Sequence, residues 1–216
     1  MTGLTNDQLL FLLRGFGWTA ALSLLAFAGG GLLGFVLALA RVYAPRPLRL
    51  LAVLWIKLIQ GTPLLILLFL AYFGLPALGL AVEPLVAAAF GLSLYVSAYL
   101  GEIWRGSLEA VPRTQEEAAL CLALTWRQRL AHVILPQAMK IATPPTVGFM
   151  VQIVKNTSLA SAIGFVEVVR AGQMINNASF RPFVVFTLIA ALYFTLCYPL
   201  SAWSRRLERR FDVAHR

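Results

Sequence analysis

Five long apolar stretches, separated by shorter polar or basic ones, organise the chain: residues 18–40, 50–73, 84–103, 145–163 and 183–203. Each is near the ~20 largely apolar residues that a helix needs to cross a bilayer core. The pattern therefore predicts an all-α membrane protein with about five transmembrane helices, forming a single transmembrane domain over residues 1–216. The first stretch contains Gly29, Gly30, Gly31 and Gly34, small residues that let helices approach closely in lipid. The second is interrupted at Gly61-Thr62-Pro63, where a kink is expected; a hinge and a plain packing break both fit. The fourth is the most polar, because it carries Gln152, Lys155, Asn156, Thr157 and Ser158.

Composition agrees with this reading. Apolar residues make up 60% of the chain and charged residues 12%, against about 25% charged in soluble domains; the mean hydropathy is +0.79. The net charge of +9 would also suit a nucleic-acid binder, but the basic residues flank the apolar runs. They cluster at Arg41, Arg46 and Arg49, at Arg105, Arg113, Arg127, Arg129 and Lys140, and at Arg205, Arg206, Arg209, Arg210 and Arg216. Positive charge on alternate connections is the positive-inside pattern. It puts the N-terminus outside and the C-terminus in the cytoplasm, with residues 74–83 and 167–181 as outer connections. No nucleic-acid partner is expected. Cys121 and Cys197 match no metal spacing and read as small buried hydrophobes. His132 and His215 are the only histidines and neither falls in a predicted span, which argues against a membrane enzyme, and no catalytic or metal-binding residue is expected.

The cytoplasmic connection, about residues 105–143, is too patterned for a linker. Thr114 with Glu117 and Thr125 with Gln128 each fit a capping box. The sequence predicts two short helices with a sharp corner near residues 123–125, the second stopping near Pro136. Such a pair is a docking surface for a partner or an interfacial helix lying on lipid.

Glu117-Ala118-Ala119, then Ala123, then Val133-Ile134-Leu135-Pro136 resembles the EAA motif of ABC-importer permeases. Gly61-Thr62-Pro63-Leu64-Leu65, Ala98-Tyr99, Glu102-Ile103, Arg105-Gly106, Val111-Pro112, Leu135-Pro136-Gln137-Ala138 and Lys155-Asn156-Thr157-Ser158-Leu159 are similar to the polar amino-acid uptake subfamily. The resemblance implies a type I importer permease fold in the bacterial cytoplasmic (inner) membrane. It implies a second permease subunit, homo- or heterodimeric, ABC ATPase subunits on the cytoplasmic loops, and an extracytoplasmic solute-binding protein. Glu116, Glu117, Ala118, Ala119, Ala123, Leu124, Thr125, Leu135 and Pro136 would form the ATPase-coupling element. The chain carries no glycine-rich phosphate loop ending in Lys-Ser/Thr, so it would bind no cofactor itself, with ATP and Mg on the partner ATPase. Where the family motif has glycine, this chain has Ala123, so the corner is expected to be shifted or remade. Thr114 and Gln60 also depart from the family pattern.

Ionisable residues within a span are functional candidates. Glu102, Tyr99, Lys155, Asn156, Thr157 and Ser158 would line a path for an amino-acid substrate, the Glu102 carboxylate accepting from an ammonium and Lys155, Asn156, Thr157 and Ser158 donating to a carboxylate. Alternatively, Glu102 and Lys155 form an ion pair that locks two helices. Glu167 reads as a helix cap or a contact for the binding protein. A stand-alone channel or secondary carrier for small polar solutes is the competing function; no internal repeat favours it.

Overall fold

In the computed structural model, which describes residues 4–212, eight helical elements contain nearly the whole chain. His215 and Arg216 of the basic tail lie outside the described residues. Capping sets the first boundary. Thr5 N–H donates to Gln8 Oε1 (3.1 Å) and its hydroxyl oxygen accepts from Gln8 N–H (3.3 Å), so α1 (Asn6–Tyr43) starts well ahead of the apolar run. Next come α2 (Arg46–Gly61), α3 (Leu64–Ala77, with a π-helical segment at Leu70–Gly74), α4 (Pro84–Glu109) and α5 (Arg113–Cys121). They are followed by α6 (Trp126–Ile163), α7 (Val168–Ser179) and α8 (Pro182–Asp212). Helices α1, α4 and α8 are each long and apolar enough to cross a membrane, and the bent pairs α2–α3 and α6–α7 bring the number of spans to five if each pair is one.

The interruption at Gly61-Thr62-Pro63 is more than a kink. Thr62 and Pro63 are extended (ψ 128° and 136°), which ends α2, and α3 leaves at 103° to it. Proline lacks the N–H that would continue the helix. A second difference lies at Pro136, which was expected to stop a short helix. Instead α6 passes through a π-helical segment (Arg129–Ile134) directly before Pro136 and runs on to Asn156. The wider π turn accommodates the ring and the missing donor. The third concerns residues 167–181, expected as a plain connection. Most of it is α7, whose apolar side packs Val168, Ala171 and Ile175 against Leu12, Val185 and Ile189.

The glycines of α1 act as read from the sequence. A Cβ on Gly30 would lie 2.4 Å from Val96 Cβ, and one on Gly34 would lie 3.0 Å from Ser97 O. Helices α1 and α4 therefore meet nearly backbone to backbone. The central core adds Leu22, Leu68, Leu92, Leu100 and Ile153 from α1, α3, α4 and α6. The outer side of α1 stays apolar and exposed, for example at Leu24 and Leu32, as a surface facing lipid requires.

Candidate functional site

The corner between α5 and α6 is built by backbone hydrogen bonds. Leu124 N–H donates to Ala119 O (3.2 Å) and Ala123 N–H to Leu120 O (2.9 Å), the two bonds of a Schellman motif. That motif needs a left-handed residue, and Ala123 supplies it at φ 55°. The corner thus stays at Ala123 and is not shifted, despite the absent glycine. Thr125 then caps α6: its N–H donates to Gln128 Oε1 (2.9 Å) and its hydroxyl oxygen accepts from Gln128 N–H (3.5 Å). The box expected from Thr114 and Glu117 does not form. Helix α5 begins earlier, with Pro112 as its N-cap and no capping side chain, so Thr114 is already inside it.

Arg129 braces the corner from α6. Its guanidinium donates to Leu124 O (3.3 Å) and lies 3.8 Å from Glu116 Oε1. Ala119 is buried, whereas Glu117, Ala118 and Ala123 are exposed and Leu124 is half-buried. Leu135 is half-buried and Pro136 exposed on α6. Leu120, Leu122 and Trp126 are also exposed, so an apolar surface surrounds Glu117 at a charged end of the molecule. Cys121 belongs to this exposed surface too, contrary to the buried position expected for it, while Cys197 is buried. Beneath the corner, Ile134 and Ala138 of α6 pack on Ala38 of α1 and Leu108 of α4. The corner is therefore fixed to the ends of two spanning helices.

A second group lies between α4 and α6. Tyr99 stacks on Phe149 (centroids 5.5 Å apart) and against Tyr95 (4.4 Å). Gln152 Nε2 donates to Asn156 Oδ1 (3.2 Å), and the Tyr95 hydroxyl interacts with Asn156 as well. Lys155 is exposed. Ser158 is half-buried and its hydroxyl donates to Lys155 O (2.7 Å). Thr157 is fully buried, its hydroxyl donating to Val154 O (2.8 Å). The structure thus brings Tyr99 and Asn156 together and adds Tyr95, Phe149 and Gln152. The i, i+4 spacing of Tyr95 with Tyr99 and of Gln152 with Asn156 carried that signal.

Glu102 is not paired with Lys155. Its carboxylate accepts from Arg41 Nη1 (2.6 Å) and lies 2.8 Å from Arg105 Nη2, and Arg105 also bridges Glu109. The register of α4 on α6 explains why. Trp104 Nε1 donates to Thr146 (2.9 Å), Tyr99 faces Phe149 and Tyr95 reaches Asn156. The two helices are antiparallel, and Lys155 lies some seven residues beyond the level of Glu102, about 10 Å at 1.5 Å per residue. Arg41 was read only as a flanking charge; a contact between residues 41 and 102 is not visible in local spacing.

Glu167 caps α7. It is buried, and its carboxylate accepts from Val169 N–H (2.9 Å) and Arg170 N–H (2.8 Å), with Thr19 and Tyr193 each at 3.4 Å. Of the two roles read from sequence, the cap is the one formed here.

Residues 30–213 match the family described as binding-protein-dependent transport system inner membrane component. The L-cystine transport system permease protein TcyB of Bacillus subtilis (strain 168) is 37% identical over 199 residues, covering 92% of this chain and 85% of that protein. The glutamine transport system permease protein GlnP of Escherichia coli (strain K12) is 32% identical over 204 residues, covering 94% and 93%. A crystal structure of an amino acid ABC transporter with histidines superposes with a TM-score of 0.87 at 32% identity, over 97% of this chain and 100% of that one. An inward-facing MetNI methionine ABC transporter shares the fold, with a TM-score of 0.78 at 20% identity over 96% and 99%.

Proposed function

Because this chain belongs to the family of binding-protein-dependent transport system inner membrane components, we propose that it is the pore-forming permease subunit of an ATP-driven importer for polar amino acids. The observation that carries this reading is the unbroken run of α6. One helical rod begins at the braced corner, at Trp126, and reaches the polar and aromatic group at Asn156. At 1.5 Å per residue the two are about 45 Å apart. A partner ATPase that grips the exposed surface around Glu117, Leu120, Leu122 and Trp126 would displace the corner, and α6 would carry that displacement to the solute path. The π segment at Arg129–Ile134 and the pair Pro144 and Pro145 are the places where the rod can bend.

In this reading the chain hydrolyses nothing itself; ATP and Mg bind the ATPase. The basic connections face the cytoplasm, which puts the N-terminus outside and the C-terminus inside. A second permease subunit completes the pore, and an extracytoplasmic binding protein delivers the solute. Relatives named for cystine and glutamine transport favour a zwitterionic amino acid. The Tyr95, Tyr99, Gln152 and Asn156 face, with Lys155 and Ser158 beside it, offers donors, acceptors and aromatic surface for such a solute. Glu102, already held by two arginines, serves to tie α1 to α4, and buried Thr157 supports the path without lining it.

The test is to express the tagged chain with its neighbouring genes, purify it in detergent and look for a bound ATPase, comparing wild type with Glu117→Lys. Recovery with wild type and loss, or uncoupled ATP hydrolysis, with the variant is the expected result. A monodisperse wild-type chain that retains no ATPase would sink the importer reading and favour a stand-alone carrier.

A further inference from the structure

We propose that the crevice between α1 and α6 is a binding site for an anionic phospholipid, with one acyl chain inside it and the phosphate against a basic rim. This inference does not depend on which solute the protein moves. The crevice holds two cavities. One, of about 380 Å³, lies between Phe35 of α1, Trp104 and Leu108 of α4, and Met139, Thr143 and Val147 of α6. The other, of about 210 Å³, continues along the same helix pair between Leu24 and Phe27 of α1 and Met150 and Val154 of α6, with Leu196 and Leu200 of α8 on its flank. The residues of α1 that line the two cavities run from Ala20 to Phe35, about 22 Å at 1.5 Å per residue, much of a ~30 Å hydrocarbon core.

Its lining is almost wholly apolar. The Trp104 indole N–H, which would otherwise face the cavity unsatisfied, donates to Thr146 (2.9 Å). The crevice opens onto the exposed apolar side of α1, where Leu24 is 64%, Leu32 76% and Phe35 41% exposed, and Met139 at the mouth is 63% exposed. It is thus continuous with the surface that an inner-membrane protein presents to lipid. A hydrocarbon chain completes such a lining, because an apolar void left empty forfeits its contacts.

Charge selects the headgroup. Helix α8 runs antiparallel beside α6: Val151 and Val154 pack with Cys197, and the Ser204 hydroxyl donates to Pro144 O (3.1 Å). Continuing that register brings Arg206 and Arg210 of α8 level with Lys140 of α6, beside the larger cavity, whose lining on α6 runs from Leu135 to Val147. All three are exposed. Glu208, the acidic residue on the same turn of α8, is directed to Ser204 (3.3 Å). Three cations level with the larger cavity match a phosphate with no compensating ammonium.

A chain whose sole tryptophan is Trp104 (Trp18, Trp55, Trp126 and Trp203→Phe) tests this in phosphatidylcholine vesicles. Phosphatidylglycerol or phosphatidylcholine with brominated acyl chains is titrated in, and quenching is followed. Brominated phosphatidylglycerol is expected to quench Trp104 at a mole fraction at least threefold lower. Lys140→Gln with Arg206→Gln and Arg210→Gln should remove that difference, and Ala142→Phe should reduce quenching by both lipids. Equal quenching by the two lipids in the unaltered crevice would mean ordinary annular contact and overturn the proposal. Absence of quenching by either would mean that protein, such as a second copy of the chain, covers the crevice, and would overturn it as well. Native mass spectrometry of the wild-type chain in an equimolar mixture of the two lipids gives a readout free of tryptophan replacement. Preferential retention of phosphatidylglycerol supports the site and indifference refutes it.

Discussion

Replacing Ala123 by glycine should stabilise the corner between α5 and α6. Ala123 sits at φ 55°, where an L-residue brings Cβ against its own carbonyl at a cost of about 1–2 kcal/mol. Glycine is free of that clash but adds about 0.4–1 kcal/mol of chain entropy to the open state. Ala123 is exposed, so losing its methyl sacrifices little burial. The net gain is about 0.5–1 kcal/mol, a factor of about two to five in the local opening equilibrium. Amide hydrogen exchange of the purified chain reads this directly, since Ala123 and Leu124 donate the two bonds that close the corner. Their exchange should slow by that factor in Ala123→Gly, while amides in the middle of α4 keep their rates. Ala123→Val should accelerate it, because a branched side chain tolerates positive φ less well. Unchanged or faster exchange in the glycine variant would show that Ala123 bears no strain, and the account of the corner would be wrong.

Other expectations follow from the same geometry. Gly30→Ala should cost about 1–3 kcal/mol, because its Cβ would fall within 2.4 Å of Val96; a lowered thermal midpoint in detergent would report it, with Gly17→Ala, which meets nothing within 4 Å, as a control whose midpoint does not fall. A double-mutant cycle on Arg41→Gln and Glu102→Gln should give a coupling of about 1 kcal/mol, the scale of part-exposed pairs, whereas Lys155→Gln with Glu102→Gln should give none. Glu167→Ala should destabilise α7 by about 1–2 kcal/mol through loss of its cap, seen as faster exchange at Val169 and Arg170, the two capped amides.

Hydropathy and charge are properties of the chain read one window at a time, and they were enough for the apolar spans, the basic connections and the glycine face of α1. Capping chemistry was partly legible: Thr125 with Gln128 forms its box, because both partners lie within one turn. Thr114 with Glu117 has the same spacing but does not cap, since Pro112 starts the helix earlier. The corner was legible from the motif even though alanine replaces its glycine, because the backbone bonds that close it ask only for a left-handed residue. What tertiary structure alone decided lies beyond local windows. The register of α4 on α6 chose Arg41, not Lys155, as the partner of Glu102. It joined Tyr95 and Tyr99 to Phe149 and Asn156. The packing of α1 and α8 made a helix of residues 168–179, which the sequence presents only as a polar connection. Each of these depends on which faces of distant helices meet, and a bilayer, by rewarding apolar surface in every direction, leaves that choice to close packing and to the few polar groups that must find partners.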